Sequence, residues 1–220
     1  VLPYGLSAPD KHGGGRLDHM LQAFRTLRRL DIAHVLPGHG WPVFGSGPKV
    51  VEASYEEMIK HLLGVSREVS CEEAAQHLIG KGCLEEALYC AEKSIRYNPS
   101  DASALRLKIL CLNDMGRFHE ALETLEVLQA IPEANQEDGG RFQTLARGYA
   151  LMGLGRYDEA VAAFDEVLHR HGDMKEAQIY KGMALYLSGR QDEAMDIEAF
   201  RSEFVGRFKE ELMQKVAQKD

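Results

Sequence analysis

The sequence predicts a mainly α protein: a helix-turn-helix solenoid of about four repeats with a C-terminal helix, preceded by a short N-terminal α/β segment. The main observation is a turn glycine followed five residues later by an alanine. These alanines are spaced by 34, 39 and 34 residues, and they are Ala87, Ala121, Ala160 and Ala194. A period of 34 residues is typical of stacked helical hairpins. A second observation is the composition, 45% hydrophobic and 27% charged, which is typical of a folded domain.

The bulk charge and the cysteine pattern exclude several classes of protein. The formal net charge of −8 argues against a nucleic-acid-binding surface, which usually shows as a basic stripe. No apolar run approaches the roughly 18 residues that span a bilayer, so we expect no membrane contact. The four cysteines lack metal-binding or redox spacing and predict reduced thiols of a cytoplasmic protein, the alternative being a disulfide framework. They are Cys71, Cys83, Cys90 and Cys111.

The N-terminal part of the chain reads as two helices with a strand between them. Residues 17–30 carry apolar side chains at steps of three and four, which predicts an amphipathic helix. Residues 31–36 are a short apolar run that ends before Pro37, and they predict a buried strand. Residues 50–65 predict a second amphipathic helix.

This order, with a Pro-Gly-His-Gly turn at 37–40 between strand and helix, resembles the C-terminal end of the metallo-β-lactamase fold hydrolases. In that family a metal-ligand histidine lies in such a turn, and the resemblance assigns this role to His39. The family's His-x-His-x-Asp-His run is absent here, and a catalytic zinc needs about three protein ligands. We therefore expect residues 1–66 to be the remnant of an enzyme domain, without catalysis in this chain and with zinc only in a longer protein. An unrelated glycine-rich turn is the alternative.

Residues 67–220 resemble a domain of tetratricopeptide (TPR) repeats, which implies a right-handed solenoid. We assign four units, about 68–101, 102–135, 141–174 and 175–208. The family's small residue in the first helix matches Gly148 and Gly182, and its large residue in the second helix matches Phe164. The fourth unit departs from the pattern, with Glu198 at the large position, as terminal units do. The extra residues between the second and third units fall within 133–140 and predict a surface loop.

In this family the first helix of each unit lines a concave groove that binds a protein or peptide. The register of the repeats places ten residues in the groove: Arg106, Leu110, Asn113, Phe142, Leu145, Tyr149, Met152, Ile179, Met183 and Tyr186. Such an apolar and aromatic wall is typical of surfaces that bind an amphipathic helix or an extended apolar peptide. We therefore expect a protein-interaction scaffold.

The C-terminal segment allows two interpretations. Residues 194–217 place aromatic and apolar side chains at steps of four, which predicts a helix capping the last unit. The alternative is a helix that swaps between molecules or fills the groove, giving a homo-oligomer.

The chain begins with Val1, so we expect the native start to lie upstream. The competing function is a full-length zinc-dependent metallo-β-lactamase fold hydrolase whose TPR domain mediates oligomerisation or partner docking.

Overall fold

The structure, a computed structural model, describes residues 17–36, 41–64, 69–135 and 137–217. The chain divides into two compact units, Val1–Ser70 and Cys71–Asp220. Within the described residues there are eleven α-helices, one 3-10 helix and a single isolated β-bridge. The prediction of a mainly α fold is confirmed.

The first unit contains two helices that pack against each other, α1 (Leu17–Arg28) and α2 (Gly47–Leu63). Helix α1 buries Leu21 and Phe24, and α2 buries Tyr55 and Met58 completely. These side chains repeat at steps of three, which places them on one face of each helix. Both helices therefore follow the predicted amphipathic pattern.

The buried strand predicted at 31–36 is not present. The segment is extended, but its only pairing among the described residues is an antiparallel bridge in which Val35 and Val43 exchange two hydrogen bonds of 2.9 Å. Ala33, His34 and Leu36 are exposed. An apolar run becomes a buried strand only where neighbouring strands or a packed face cover it, and one bridge supplies neither.

The second unit is a series of helical hairpins. Each hairpin joins a first and a second helix: α3 (Cys71–Gly80) with α4 (Leu84–Tyr97), α5 (Ala102–Asp114) with α6 (Phe118–Gln129), α7 (Glu137–Gly153) with α8 (Tyr157–His171), and α9 (Lys175–Leu187) with α10 (Gln191–Asp196). Helix α11 (Glu198–Ala217) follows. Consecutive helices contact each other along the whole series, so each hairpin buries its apolar face against its neighbours.

The turn inside each hairpin has the same geometry. The four turn glycines have φ values of 72°, 73°, 75° and 89°, at Gly82, Gly116, Gly155 and Gly189. The amide of the residue after each glycine donates to a carbonyl five residues earlier, at 2.8 to 3.0 Å. This is the Schellman pattern, which ends a helix with a left-handed residue and satisfies its last carbonyls. The recurring glycine is thus required by the backbone.

The two helices of a hairpin cross at residues with small side chains. All four pattern alanines are completely buried. On the facing helix of the third hairpin, a Cβ added to Gly148 would lie 2.7 Å from the ring of Phe164, which is itself completely buried. Glycine at this point lets a full phenyl ring fill the space between the helices.

The fourth hairpin also packs a phenylalanine side chain against a glycine of its first helix, but the phenylalanine comes from a different position. Its second helix stops at Asp196, Ile197 is extended, and the chain restarts as α11. The break shifts the register, and Phe200 instead of Glu198 reaches the glycine of the first helix. A Cβ on Gly182 would lie 2.3 Å from Phe200. A large side chain therefore fills the crossing that the sequence pattern assigned to Glu198.

The loop predicted at 133–140 is largely helical. Residues Pro132–Asn135 form a 3-10 helix, and α7 begins at Glu137. The 3-10 helix packs closely on the first turn of α7, because a Cβ on Gly139 would meet the Ala134 carbonyl oxygen at 1.9 Å. The buried side chain of Gln143 donates to the same oxygen at 2.9 Å. Small residues and one side-chain hydrogen bond thus fold the insertion onto the stack.

None of the four cysteines forms a disulfide bond in the structure. Cys90 and Cys111 are buried in the helical stack. Burial, with the nearby charge of Asp114, raises the pKa of the Cys111 thiol to about 12. This thiol therefore stays protonated and serves as a small apolar core residue.

The turn geometry predicts opposite effects for one substitution at two glycines. Gly155→Ala forces a Cβ into the left-handed conformation and is expected to lower the free energy of unfolding by about 1–2 kcal/mol. Gly206→Ala, in the open interior of α11, is expected to raise helix stability by about 1 kcal/mol. Urea unfolding followed by circular dichroism measures both variants. Changes of equal sign would contradict the assigned turn.

Candidate functional site

The first helices of the hairpins lie side by side. Helix α3 contacts α5, α5 contacts α7, and α7 contacts α9, whereas the second helices α4, α6 and α8 share no comparable contact in the described chain. Closer approach on one side of a stack curves it toward that side. The first helices therefore form its inner face, which is the face that the sequence predicts as the groove.

A pocket of about 200 Å³ opens on this inner face between three first helices, and we name it the α5–α7–α9 pocket. Its lining consists of Leu110, Asn113, Asp114, Phe142, Leu145, Ala146, Tyr149, Glu176 and Tyr180. Five of the ten predicted groove residues therefore come together here. They are Leu110, Asn113, Phe142, Leu145 and Tyr149.

A second cavity, of about 630 Å³, adjoins the first, and we name it the α9–α11 cavity. Two further predicted residues line it, Ile179 and Met183, together with Glu203 and Arg207 from α11. Three residues line both spaces: Tyr149, Glu176 and Tyr180. The two spaces therefore form one continuous strip along the inner face.

Aromatic contacts fix the wall shared by the two spaces. The rings of Tyr149 and Tyr180 meet edge to face, with centroids 5.4 Å apart at 77°. Tyr180 also stacks on Phe164 at 5.8 Å, and Phe164 fills the helix crossing beneath. Edge-to-face and stacked pairs each add about 0.5–1.5 kcal/mol beyond burial. The wall is thus tied to the core and formed in advance of any ligand.

Two acidic side chains act on the Tyr180 hydroxyl in the pocket. The pKa of the Tyr180 hydroxyl is raised, first by burial and then by the charges of Glu176 and Asp114 and by Tyr149, while Arg207 opposes the shift. Asp114 and Glu176 are both exposed, and both line the pocket. Two negative charges therefore flank an aromatic wall.

Three predicted groove residues are placed elsewhere. Met152 is 8% exposed and lies in the core with Ala160 and Phe164. Tyr186 is covered by the rings of Phe200 and Phe204, at 6.1 and 5.1 Å. The guanidinium of Arg106 packs over Gly139, and its buried Nε has no hydrogen-bond partner. Whether the other seven bind a partner stays a prediction.

The structure adds lining residues that the register argument passed over. Tyr180 follows Glu176 by four residues and precedes Met183 by three, and Asp114 follows Leu110 by four. Side chains at these spacings share a helix face, so the sequence spacing could have identified Tyr180 and Asp114 as lining residues. The sequence spacing could not identify Glu203 and Arg207 as lining residues, because their position depends on where α11 packs.

The predicted zinc ligand, His39, lies outside the described residues, as does its turn at 37–40. In the described part of the chain, no group of three or more His, Cys, Asp or Glu side chains is arranged to hold a metal ion. None of the described helices combines the length and the apolar character that crossing a membrane requires.

The stacked hairpins with a lined inner face define the class of the second unit as an α-helical solenoid. The family model described as tetratricopeptide repeat matches residues 73–136 and 145–201. The chain belongs to the tetratricopeptide repeat family, as the sequence pattern predicts. The match does not extend to residues 1–72, so the likeness to metallo-β-lactamases stays a prediction.

Solved structures of MamA proteins share this fold. One, MamA from residue 41 to the end from Desulfovibrio magneticus RS-1, has a TM-score of 0.52 and 12% identity, over 83% of this chain and 96% of that chain. A MamA RS-1 double mutant gives 0.51 and 14% over the same shares. At these identities the likeness concerns the fold alone. No curated protein sequence matches the chain.

The packing of α11 predicts a local effect at Phe204. Its ring lies 5.5 Å from Phe200 and 5.1 Å from Tyr186, so Phe204→Ala is expected to detach α11 from α9 while the other hairpins stay folded. Hydrogen exchange of α11 amides should accelerate at least tenfold. The control is Val205→Ala, because Val205 is exposed. Equal acceleration in both variants, or in neither, would count against this anchoring.

Proposed function

We propose that the protein is an interaction scaffold whose inner face binds an amphipathic helix or an extended peptide of a partner protein. The observation that carries the proposal is the continuous strip formed by the α5–α7–α9 pocket and the α9–α11 cavity. Grooves of this kind receive apolar anchors spaced along one face of a peptide. The same strip contains seven residues that the sequence predicts as partner-binding.

Exposed apolar side chains on the strip support the proposal. Leu110 is 38% exposed and Met183 is 36% exposed, and both lie beside the aromatic wall. Covering apolar surface yields about 25 cal/mol for each Å² removed from water. A partner with apolar residues at matching spacing would gain this energy without any change in the rigid wall.

Self-association through α11 is the less favoured arrangement. Within one chain, α11 contacts α9 and α10, and its Phe200 and Phe204 already cover Tyr186. A swapped helix would have to leave these contacts first. We therefore propose that α11 caps its own solenoid and forms one wall of the groove.

The groove is tested by polar substitutions at its exposed apolar residues. Peptides selected from a random library on the immobilised chain are expected to bind the wild type and to lose at least tenfold in affinity with Leu110→Asn or Met183→Glu, because the new polar group would be desolvated in the contact. Isothermal titration measures the affinity.

The matched control for this test is Val127→Glu on α6. Val127 is an exposed apolar residue like the other two, but it lies on a second helix and lines neither space. It should leave peptide affinity within twofold. A selection that yields no binding peptide, or peptides whose binding Val127→Glu abolishes, would refute the groove proposal.

The alternative proposal concerns a longer protein, a zinc-dependent hydrolase of the metallo-β-lactamase fold to which residues 1–66 would contribute His39. Its support is the Pro-Gly-His-Gly sequence at 37–40 and its place between α1 and α2, although the buried strand expected there is not present. A His-x-His-x-Asp-His run in the coding sequence upstream, with about two zinc ions per purified full-length chain, is the expected result. A full-length chain without zinc would dismiss the proposal.

A further inference from the structure

We infer that the α5–α7–α9 pocket receives an arginine side chain of the partner peptide. The inference rests on the proposed function and specifies the chemistry of its ligand. It combines three features of the pocket: its charge, its aromatic wall and an unpaired buried acceptor.

The charge of the pocket favours a cation. Its lining includes two acidic side chains, Asp114 and Glu176, and no lysine or arginine. Opposite charges a few ångströms apart attract more strongly at a partly desolvated site than in bulk water. A neutral apolar anchor would gain no such attraction from the two carboxylates.

The wall of the pocket suits a planar cation. Phe142, Tyr149 and Tyr180 supply aromatic rings, and the rings of the two tyrosines meet edge to face. A guanidinium stacks on aromatic faces and is more weakly hydrated than an ammonium. Its stem of methylene groups would cover the exposed side chain of Leu110.

An unpaired acceptor adds the third feature. Asn113 is 5% exposed, and its Nδ2 donates to the Ala146 carbonyl oxygen at 3.2 Å. Its Oδ1 accepts no hydrogen bond. A buried acceptor without a donor is unfavourable, and a ligand that supplies the donor removes this cost. A guanidinium carries five N–H donors in a fixed plane, so it has a donor for this oxygen as well as donors for a carboxylate.

The arginines of the chain itself do not fill this place. Arg207 lines the neighbouring α9–α11 cavity and pairs with Glu203 on its own helix at 2.9 Å. Arg106, on α5, packs over Gly139. The pocket therefore remains open to an arginine from outside.

The test uses two small probes of the same shape, N-acetyl-arginine methylamide and its neutral citrulline analogue. Nuclear magnetic resonance of the full chain is expected to show saturable shifts for amides in 110–114, 145–149 and 176–180 with the arginine probe. The citrulline probe should bind at least tenfold more weakly. Equal shifts with both probes, or none at 20 mM, would overturn the inference.

Two variants connect the binding to the pocket. The double variant Asp114→Asn and Glu176→Gln should weaken the arginine probe at least fivefold, because both substitutions keep shape and remove charge. The control is Glu123→Gln, an exposed glutamate of α6, which should change nothing. An arginine probe that binds the double variant as tightly as the wild type would also overturn the inference.

The two proposals fail separately. If selected peptides depend on Leu110 and Met183 while the arginine probe does not bind, the groove stands and the arginine site falls. If the probe binds and no peptide is selected, the pocket is a site for a cation and the scaffold proposal falls. A lysine probe that binds more tightly than the arginine probe would reject the guanidinium in favour of a primary ammonium.

Discussion

The solenoid depends on one kind of contact, the crossing of two helices at a point where one of them carries almost no side chain. At Gly148 and Gly182 a single added methyl group would lie 2.7 and 2.3 Å from the Phe164 and Phe200 side chains. Protein interiors are packed as densely as organic crystals and cannot absorb such an overlap without moving a helix. The small residue therefore lets the two helices of a hairpin approach closely, and the phenylalanine side chain fills the space between them.

The same contact shapes the candidate site. Phe164 stacks on Tyr180, which in turn meets Tyr149 edge to face. A continuous series of rings thus leads from the helix crossing to the wall of the groove. Because the inner end of that series cannot move without opening the core, its outer end is held in place. A groove built in this way loses little conformational entropy when a ligand binds, and such preorganisation favours affinity.

Much of this architecture could be predicted from the sequence, because the turns and helix crossings require glycine and alanine at positions that recur in each repeat. Features that depend on packing between distant parts of the chain could not be predicted in this way. The sequence pattern assumed an unbroken helix and assigned Glu198 to the last crossing, but the break at Ile197 brings Phe200 there. Seven of the ten groove residues predicted from the periodicity of the first helices line the two spaces. The periodicity could not foresee that Met152 would be buried in the core or that α11 would cover Tyr186.

Asn113 belongs to both the stack and the site. Its amide nitrogen joins α5 to the Ala146 carbonyl of α7, across the boundary between consecutive units. Since the two ends of an amide group are fixed relative to each other, a ligand that donates to Oδ1 holds Nδ2 in the direction of that carbonyl. Anything that binds only the folded pocket adds its binding energy to the stability of this boundary. In a solenoid each unit is stabilised mainly by its neighbours. Occupancy of the pocket would therefore strengthen the stack on both sides of it.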